Sequence, residues 1–307
     1  MSIVVVTPNP AIDVTYRVDR QTIGTTQRVR EVRRMPGGKG LNVARVLEDI
    51  GSPTVSVLPL GGAAGSWVQQ RLDALGLAAR IVPIADETRS TVTVVDDIDH
   101  PTMFGEPGPH VTPAEWQQLT DVISATAASA ALVVISGSLP PAASPELVAG
   151  WVEKARLSGA RTIVDVSGPA LLAAAAAQAS VVKPNRDELL DATGASSEAE
   201  GARALLARGA GAVVVSRGSA GICAYLPDGR LELAAVPGVT GNPTGAGDAA
   251  TAGLALALST DLGIDEALRQ ANALGAAAVL RPVAGEIHLA AYQRFLTELP
   301  LPAKENP

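Results

Sequence analysis

Cysteine, histidine, lysine and aromatic residues are all scarce in this chain of 307 residues. Cys223 stands alone, which excludes an intramolecular disulfide and a cysteine metal cluster and fits a reducing compartment. His100, His110 and His288 are the only histidines and show no metal-ligand spacing. The alanine-rich stretch from Ala170 to Ala179 is too short to span a bilayer and is interrupted by Gln178. Acidic residues outnumber basic ones by 31 to 24, a formal net charge of −7, so no nucleic-acid or anionic-membrane partner is expected. An anionic substrate would have to be caught by local Arg, Lys and backbone amides, against the overall field. The opening segment Met1–Pro10 carries no basic leader, and its apolar run is too short for a signal peptide. A soluble, cytoplasmic chain is the expectation. Lysine occurs only at Lys39, Lys154, Lys183 and Lys304, and two of these fall inside the motifs below.

What is abundant is alternation of short β-branched runs with helical patterns. Strands are expected at Ile3–Val6, Thr54–Leu58, Leu132–Ser136, Thr162–Val166, Val181–Lys183 and Val213–Ser216, with helices at Leu41–Ile50, Ser66–Leu75, Pro113–Ala127, Pro145–Leu157, Arg186–Ala192 and Glu198–Ala207. Near-continuous apolar strands belong in a parallel sheet covered by helices on both faces, an α/β chain of three αβα layers. Gly51, Gly76, Gly159, Gly194 and Gly209 stand where helix C-caps would fall. Residues 246–299 read as helices packing on that sheet, followed by a short polar tail from Pro302.

Two stretches break the rhythm. Residues 13–34 hold the alternating segments Val14–Val18 and Arg28–Arg33, and Ser90–Phe104 reads as a hairpin, Thr91–Val95 and Thr102–Phe104 around Asp-Ile-Asp-His-Pro. Alternation implies one wet and one buried face, and neither piece can own a core. The expected division is a core of residues 1–12, 35–89 and 105–307, and a small β-sheet lid of residues 13–34 and 90–104. Such a sheet would exclude water from a reaction, or pair its edge with a second copy as a homodimer.

The most chemically informative stretch is Asn242-Pro-Thr-Gly-Ala-Gly-Asp248, a Pro/Gly-rich turn running into a long small-residue helix. Free amides at a helix start, with the positive end of the dipole behind them, form an anion site. With a carboxylate alongside, that arrangement suits phosphoryl transfer: Gly245, Ala246 and Gly247 would stabilise the migrating group and Asp248 would accept a hydroxyl proton. An Asp in a first helical turn is also favourable for ordinary electrostatic reasons. Gly245-x-Gly247-x-x-Ala250 matches a dinucleotide fingerprint as well, but a loop precedes it where that fingerprint needs a strand.

Further clusters stand at strand ends or helix starts, where open parallel sheets bind ligands: Pro36-Gly-Gly-Lys-Gly-Leu-Asn42, Thr88-Arg89-Ser90, Ser136-Gly-Ser-Leu-Pro140 and Lys183-Pro-Asn-Arg-Asp-Glu188. Each alone reads as a turn, a surface charge or, for Asn185 and Glu188, a capping box. With Thr7-Pro-Asn-Pro-Ala-Ile-Asp13, Glu106-Pro-Gly-Pro109 and Val215-Ser-Arg-Gly218 they occur in an order that resembles the ribokinase-like carbohydrate kinases. The phosphohexose branch, with 1-phosphofructokinase and tagatose-6-phosphate kinase, is the most similar, and the resemblance covers almost the whole chain.

The resemblance implies a ribokinase-like fold and an ATP-dependent phosphohexose kinase, with 1-phosphofructokinase the leading activity. It makes Asp248 the base and Thr244–Gly247 the anion hole. It gives sugar hydroxyls to Asp13 and Asn42, close backbone approach to Gly37 and Gly38, and substrate binding also to Ser136 and Ser138. It makes Lys39, Arg28 and Arg89 candidates for the substrate's phosphate. Nucleotide falls to Lys183, Asn185, Ser216, Gly218, Gly221, Thr244 and Gly275, and Mg²⁺ to Asn185 and Glu188, through water. The family's monovalent-cation site draws on the loop after the helix ending near Leu280, which here reads Arg281-Pro-Val-Ala-Gly-Glu286. An arginine there would replace a potassium ion or repel it, and the motifs leave potassium dependence open. The alternatives are a tagatose-6-phosphate or 6-phosphofructokinase, a kinase of an unphosphorylated sugar or nucleoside, and a non-catalytic sugar-binding regulator. The last would be expected to lose the base or the Mg²⁺ motif, and both are intact.

Overall fold

The computed structural model describes residues 2–96 and 101–305. In chain order the first elements are β1 (Ser2–Val6), β2 (Ala11–Arg17), β3 (Glu31–Gly37), α1 (Lys39–Asp49), β4 (Thr54–Leu60), α2 (Gly62–Ala74), β5 (Ala79–Pro83), β6 (Arg89–Val95) and β7 (Thr102–Gly105). There follow α3 (Pro113–Ala127), β8 (Ala130–Ser136), α4 (Glu146–Leu157), β9 (Arg161–Asp165), α5 (Pro169–Ala176), β10 (Val181–Val182), α6 (Arg186–Thr193), α7 (Glu198–Arg208) and β11 (Val213–Ser216). The last are β12 (Ile222–Leu226), β13 (Gly229–Leu233), α8 (Ala246–Ser259), α9 (Ile264–Val279), α10 (Leu289–Glu298) and β14 (Lys304–Glu305).

The large sheet runs β14-β13-β12-β11-β10-β9-β8-β1-β4-β5. It is parallel from β11 to β5 and antiparallel beyond β11. Strand alternation divides its apolar side chains between two cores. Ile3, Val5, Leu132 and Val134 face α1, α8, α9 and α10, while Val4, Val6, Val133 and Ile135 face α3, α4, α5 and α7. This is the three-layer αβα architecture that the ribokinase resemblance implies. The chain fills the sheet on one side of β1 with β4 and β5, then crosses to β8–β11 on the other. That reversal creates a crevice at the carboxyl ends of the strands.

The second sheet, β3-β2-β6-β7, is separate. β2 pairs with β3 antiparallel and with β6 parallel, and β7 completes the hairpin with β6. β3 begins three residues later than the alternating run Arg28–Arg33 suggests and continues to Gly37, feeding straight into α1. Residues 97–100, in the expected hairpin turn, lie outside the described residues.

Elements without a strong pattern were illegible. β5 is a half-exposed edge strand, and β12 and β13 hide in a mixed stretch. α5 is the alanine-rich segment, whose side chains carry little periodicity. The expected polar tail from Pro302 is corrected: Lys304 and Glu305 pair with Leu231 and Arg230. Arg230 reaches Glu305 at 2.6 Å, so the tail covers a sheet edge that would otherwise be bare. Among the described residues no helix is long and apolar enough to cross a membrane.

Candidate active site

A cleft of about 500 Å³ opens between the carboxyl ends of the parallel strands and the small sheet, lined by Asp13, Lys39, Asn42, Asp165, Lys183 and Asp248 among others. A neighbouring cavity of about 610 Å³ shares Asn185 and Ser216 with it and adds Glu198, Arg217, Gly218 and Ala220. Arg217 forms one wall of that cavity, paired with Glu198 at 2.6 Å and Glu232 at 2.7 Å.

At the floor of the cleft α8 begins without a side-chain cap. The Ala246 amide donates to Pro243 O at 3.1 Å, which takes it out of the expected anion hole; the amides after it, Gly247 and Asp248, are those a helix start offers to an anion. Gly245 takes φ 85°, and a Cβ there would stand 2.7 Å from Ala284 Cβ, so both conformation and space require glycine. Lys183 Nζ lies 3.8 Å from where a Gly247 Cβ would be, which puts an ammonium beside the turn. The Thr244 amide donates to Asn242 Oδ1 at 3.1 Å.

Asp248, in the first turn of α8, is 7% exposed and its Oδ2 accepts from Asn42 Nδ2 at 2.8 Å. Burial, reinforced by the charge of Asp165, pushes its carboxyl up to about 7. That value is well placed for a base working at neutral pH.

Asp165 is the site residue that sequence reading missed. It ends β9 and is 1% exposed. Its Oδ2 takes Lys183 Nζ at 3.0 Å and Thr251 Oγ1 at 2.7 Å, and its Oδ1 takes Lys39 Nζ at 3.4 Å. Burial alone would raise its carboxyl, but Lys183 and Lys39 outweigh it and hold the group near 2. Lys39 in turn is pushed above its ordinary value, chiefly by Asp165. The available signal was an acid closing a β-branched strand at the ligand-binding edge of a parallel sheet.

Asn185 and Glu188 make the reciprocal capping box of α6, with bonds of 2.8 and 2.9 Å. Glu188 nonetheless lines the cleft, with Oε1 3.4 Å from Lys39 Nζ. Among the described residues no group of three or more His, Cys, Asp or Glu could cage a metal. A lone carboxylate facing phosphate space suits Mg²⁺, which keeps most of its water and is held largely by its substrate's phosphates.

On the sugar side, Asp13 accepts a hydrogen bond from the Gly38 backbone, and burial raises it to about 6 against the pull of Arg89 and Arg45. Gly37 ends β3 beside that carboxylate. Asn42 Oδ1 and Asn9 Oδ1 are buried without a hydrogen-bond partner, acceptors of the kind that sugar hydroxyls satisfy. Ser138 lines the cleft, whereas Ser136 is fully buried and lies outside the lining. Arg89 lines it too, with its guanidinium donating to Asn9 O at 3.1 and 3.2 Å and Glu106 O at 2.9 Å. Arg28 is exposed between β2 and β3 and is not in the lining, while Arg33 and Arg45, which the motifs did not single out, are. Ser216 and Gly218 border the second cavity. Gly221 packs on the Leu233–Ala234 backbone and Gly275 on α8, and neither lines these two cavities.

An uncapped helix start, a buried carboxyl raised to about 7 and two ammonium groups held by one carboxylate suit phosphoryl transfer. Comparison with known proteins agrees. The family model described as pfkB family carbohydrate kinase matches residues 4–289. The ATP-dependent 6-phosphofructokinase isozyme 2 of Mycobacterium tuberculosis is 34% identical over 289 residues, covering 91% of this chain and 84% of its own. Phosphofructokinase-2 from Escherichia coli in complex with fructose-6-phosphate has a TM-score of 0.88 at 28% identity, covering 97% of this chain and 99% of that one. The same enzyme in complex with potassium scores 0.90 at 27% identity over 97% and 98%. Ribokinase of Arabidopsis thaliana, at 20% identity over 96% and 98%, shares the fold with a TM-score of 0.74. The chain belongs to the pfkB family of carbohydrate kinases. It is a phosphotransferase of that family.

Proposed function

We propose that the chain is an ATP-dependent phosphofructokinase that transfers the γ-phosphoryl group of ATP to the free primary hydroxyl of a fructose monophosphate. The observation that carries this reading is Asp248, buried at an uncapped helix start with its carboxyl raised to about 7. Asp248 takes the hydroxyl proton as the sugar oxygen bonds to phosphorus and the bond to the ADP oxygen breaks. The amides of Gly245, Gly247 and Asp248 and the Lys183 ammonium receive the charge that develops. Asp13, Asn42 and Asn9 orient the sugar hydroxyls, and Lys39, Arg33 and Arg89 face the phosphate it already carries. Mg²⁺ bound with the nucleotide supplies charge neutralisation on the phosphate oxygens, and Glu188 and Asn185 are the residues that would hold it through water.

Fructose 6-phosphate is favoured as acceptor by the name of the relative at 34% identity. Fructose 1-phosphate is the second reading, favoured by the motif set. Each carries phosphate at one end of a ketohexose and a free primary hydroxyl at the other, so both give fructose 1,6-bisphosphate. The sheet β3-β2-β6-β7, with residues 13–34 and 90–104, acts as a lid that keeps water from the transfer. Its outer side exposes Phe104 and Val32, a surface suited to a second copy in a homodimer. A single buried cysteine suits the cytoplasm.

A coupled ATP-consumption assay across fructose 6-phosphate, fructose 1-phosphate, tagatose 6-phosphate and their unphosphorylated parents tests the reading. A fructose monophosphate should exceed fructose by roughly tenfold or more in kcat/KM, the worth of one charge-assisted contact. Preference for an unphosphorylated hexose or a nucleoside would contradict it.

A further inference from the structure

The turn of residues 216–221 joins β11 to β12 and supplies Ser216, Arg217, Gly218 and Ala220 to the wall of the second cavity. Its two ends are fixed through the backbone. Ser216 bridges to Asn185, and its amide donates to Pro184 O at 3.2 Å. Gly221, at φ 96°, lies so close to the chain leaving β13 that a Cβ there would stand 2.7 Å from the Ala234 carbonyl carbon. Between these ends Gly218, Ser219 and Ala220 are exposed, and Gly218, at φ 56°, has nothing within 4 Å of where its Cβ would be.

The side chain of Arg217 ties this open stretch to the rest of the molecule. Its Nε donates to both Glu198 oxygens at 2.9 and 3.0 Å, and its Nη2 to Oε1 at 2.6 Å, a fork on the carboxylate that opens α7. Its Nη1 donates to Glu232 of β13 at 2.7 Å, and the Tyr225 hydroxyl of β12 donates to the same Glu198 oxygen at 3.0 Å. One guanidinium thereby links the turn to α7, β12 and β13. Two carboxylates outweigh its single charge, so the cluster attracts no phosphate. What it supplies is position.

We propose that Arg217 is a positioning residue for the phosphoryl donor: anchored by Glu198, Glu232 and Tyr225, it holds the turn of residues 216–221 in the shape that receives the nucleotide. The proposal rests on the kinase reading. In that reaction the attacking and leaving oxygens stand in line on opposite sides of the transferred group. Asp13 and Asn42 occupy the sugar side of the cleft, and the cavity that meets the cleft at Asn185 and Ser216 is the space beside it for the rest of the donor.

The experiment measures binding of ADP with magnesium by calorimetry, with thermal denaturation and steady-state kinetics alongside. Arg217→Met should raise Kd for ADP and KM for ATP by about tenfold, the worth of a charge-assisted contact, with KM for the sugar phosphate moving far less. Glu198→Met separates position from charge. It removes the anchor and leaves the arginine, so it should also weaken ADP binding, whereas an arginine acting by its charge would bind ADP more tightly once that acid is gone. A lowered Tm with unchanged Kd for ADP, tighter binding in Glu198→Met, or equal rises in both KM values would overturn the proposal. Should either variant not fold, Arg217→Lys decides, since it keeps the charge and loses the fork: Kd for ADP should rise several-fold, and an unchanged value would overturn the proposal. A wild type that binds ADP and phosphorylates no sugar would instead contradict the kinase reading, and the calorimetric test of Arg217 would stand.

Discussion

The floor of the cleft and the sheet above it are built by opposite means. The floor is the edge of a parallel sheet buried on both faces, and Asp165, Lys183 and Asp248 are all 7% exposed or less, while the Lys39 side chain beside them is 41% exposed. The upper sheet has four strands and little core of its own, and it exposes Met103 at 64% and Phe104 at 62%. Buried, paired charges at strand ends and a helix start hold their geometry. A thin sheet with few buried contacts opens at small cost in free energy. On the proposed reading the chemistry sits where the charges are buried and paired, and substrate entry falls to the thin sheet.

Within the floor the same contrast recurs between two carboxylates. Asp165 and Asp248 are both buried, yet one is held near 2 and the other raised to about 7. Asp165 has two ammonium partners and a hydroxyl, while Asp248 has one neutral amide. Pairs of carboxyls driven apart in this way separate a structural charge from a working base. Asp165 anchors both lysines and, by its own charge, raises Asp248.

The largest effect expected is from Asp248→Asn. Asn keeps the shape but accepts no proton at neutral pH, so kcat should fall by about 10²–10⁴-fold, with ATP affinity by calorimetry nearly unchanged. Retention of a tenth of wild-type turnover would remove Asp248 from the role of base and dissolve the contrast with Asp165.

Arg89 joins floor to roof, because its guanidinium holds the carbonyls of Asn9 and Glu106. Arg89→Ala should raise KM for the sugar phosphate by roughly tenfold, the equivalent of about 1.5 kcal/mol, and KM for ATP far less. Equal rises for both substrates would show that it braces the sheet and does not read the phosphate. The smallest effect on turnover is expected from Phe104→Asp. It should shift the protein from dimer to monomer by light scattering while kcat stays within a few-fold. A wild-type monomer at working concentration would refute assembly through this sheet.

Much of this was legible in residues. Strands such as Ile3–Val6 and Val213–Ser216 are continuous β-branched runs, and the helix over Pro113–Ala127 is bounded by a capping box of Thr112 and Glu115. The Asn242–Asp248 turn announced an anion site through its glycines and its acid. Asp165 was not legible, because its function depends on Lys39, Lys183 and Thr251, which lie 126, 18 and 86 residues away in sequence and meet it only in the folded sheet. Arg28, a phosphate candidate that the resemblance implied, is exposed ahead of the strand that begins at Glu31 and lies outside the cleft lining. Arg33, inside the strand, lines the cleft.

The pH dependence of kcat in wild type and in Asp165→Asn tests most directly whether Asp165 sets the base. Asp248 must be ionised to take a proton, and its carboxyl is raised to about 7. Wild-type kcat should therefore fall as pH drops through about 7. Asp165→Asn removes a neighbouring negative charge and leaves the Lys183 ammonium without its carboxylate partner, and both changes favour the ionised form of Asp248. The acid limb should move to lower pH even as the maximal rate declines. A limb that stays in place, or moves upward, would show that the charge of Asp165 does not govern the base.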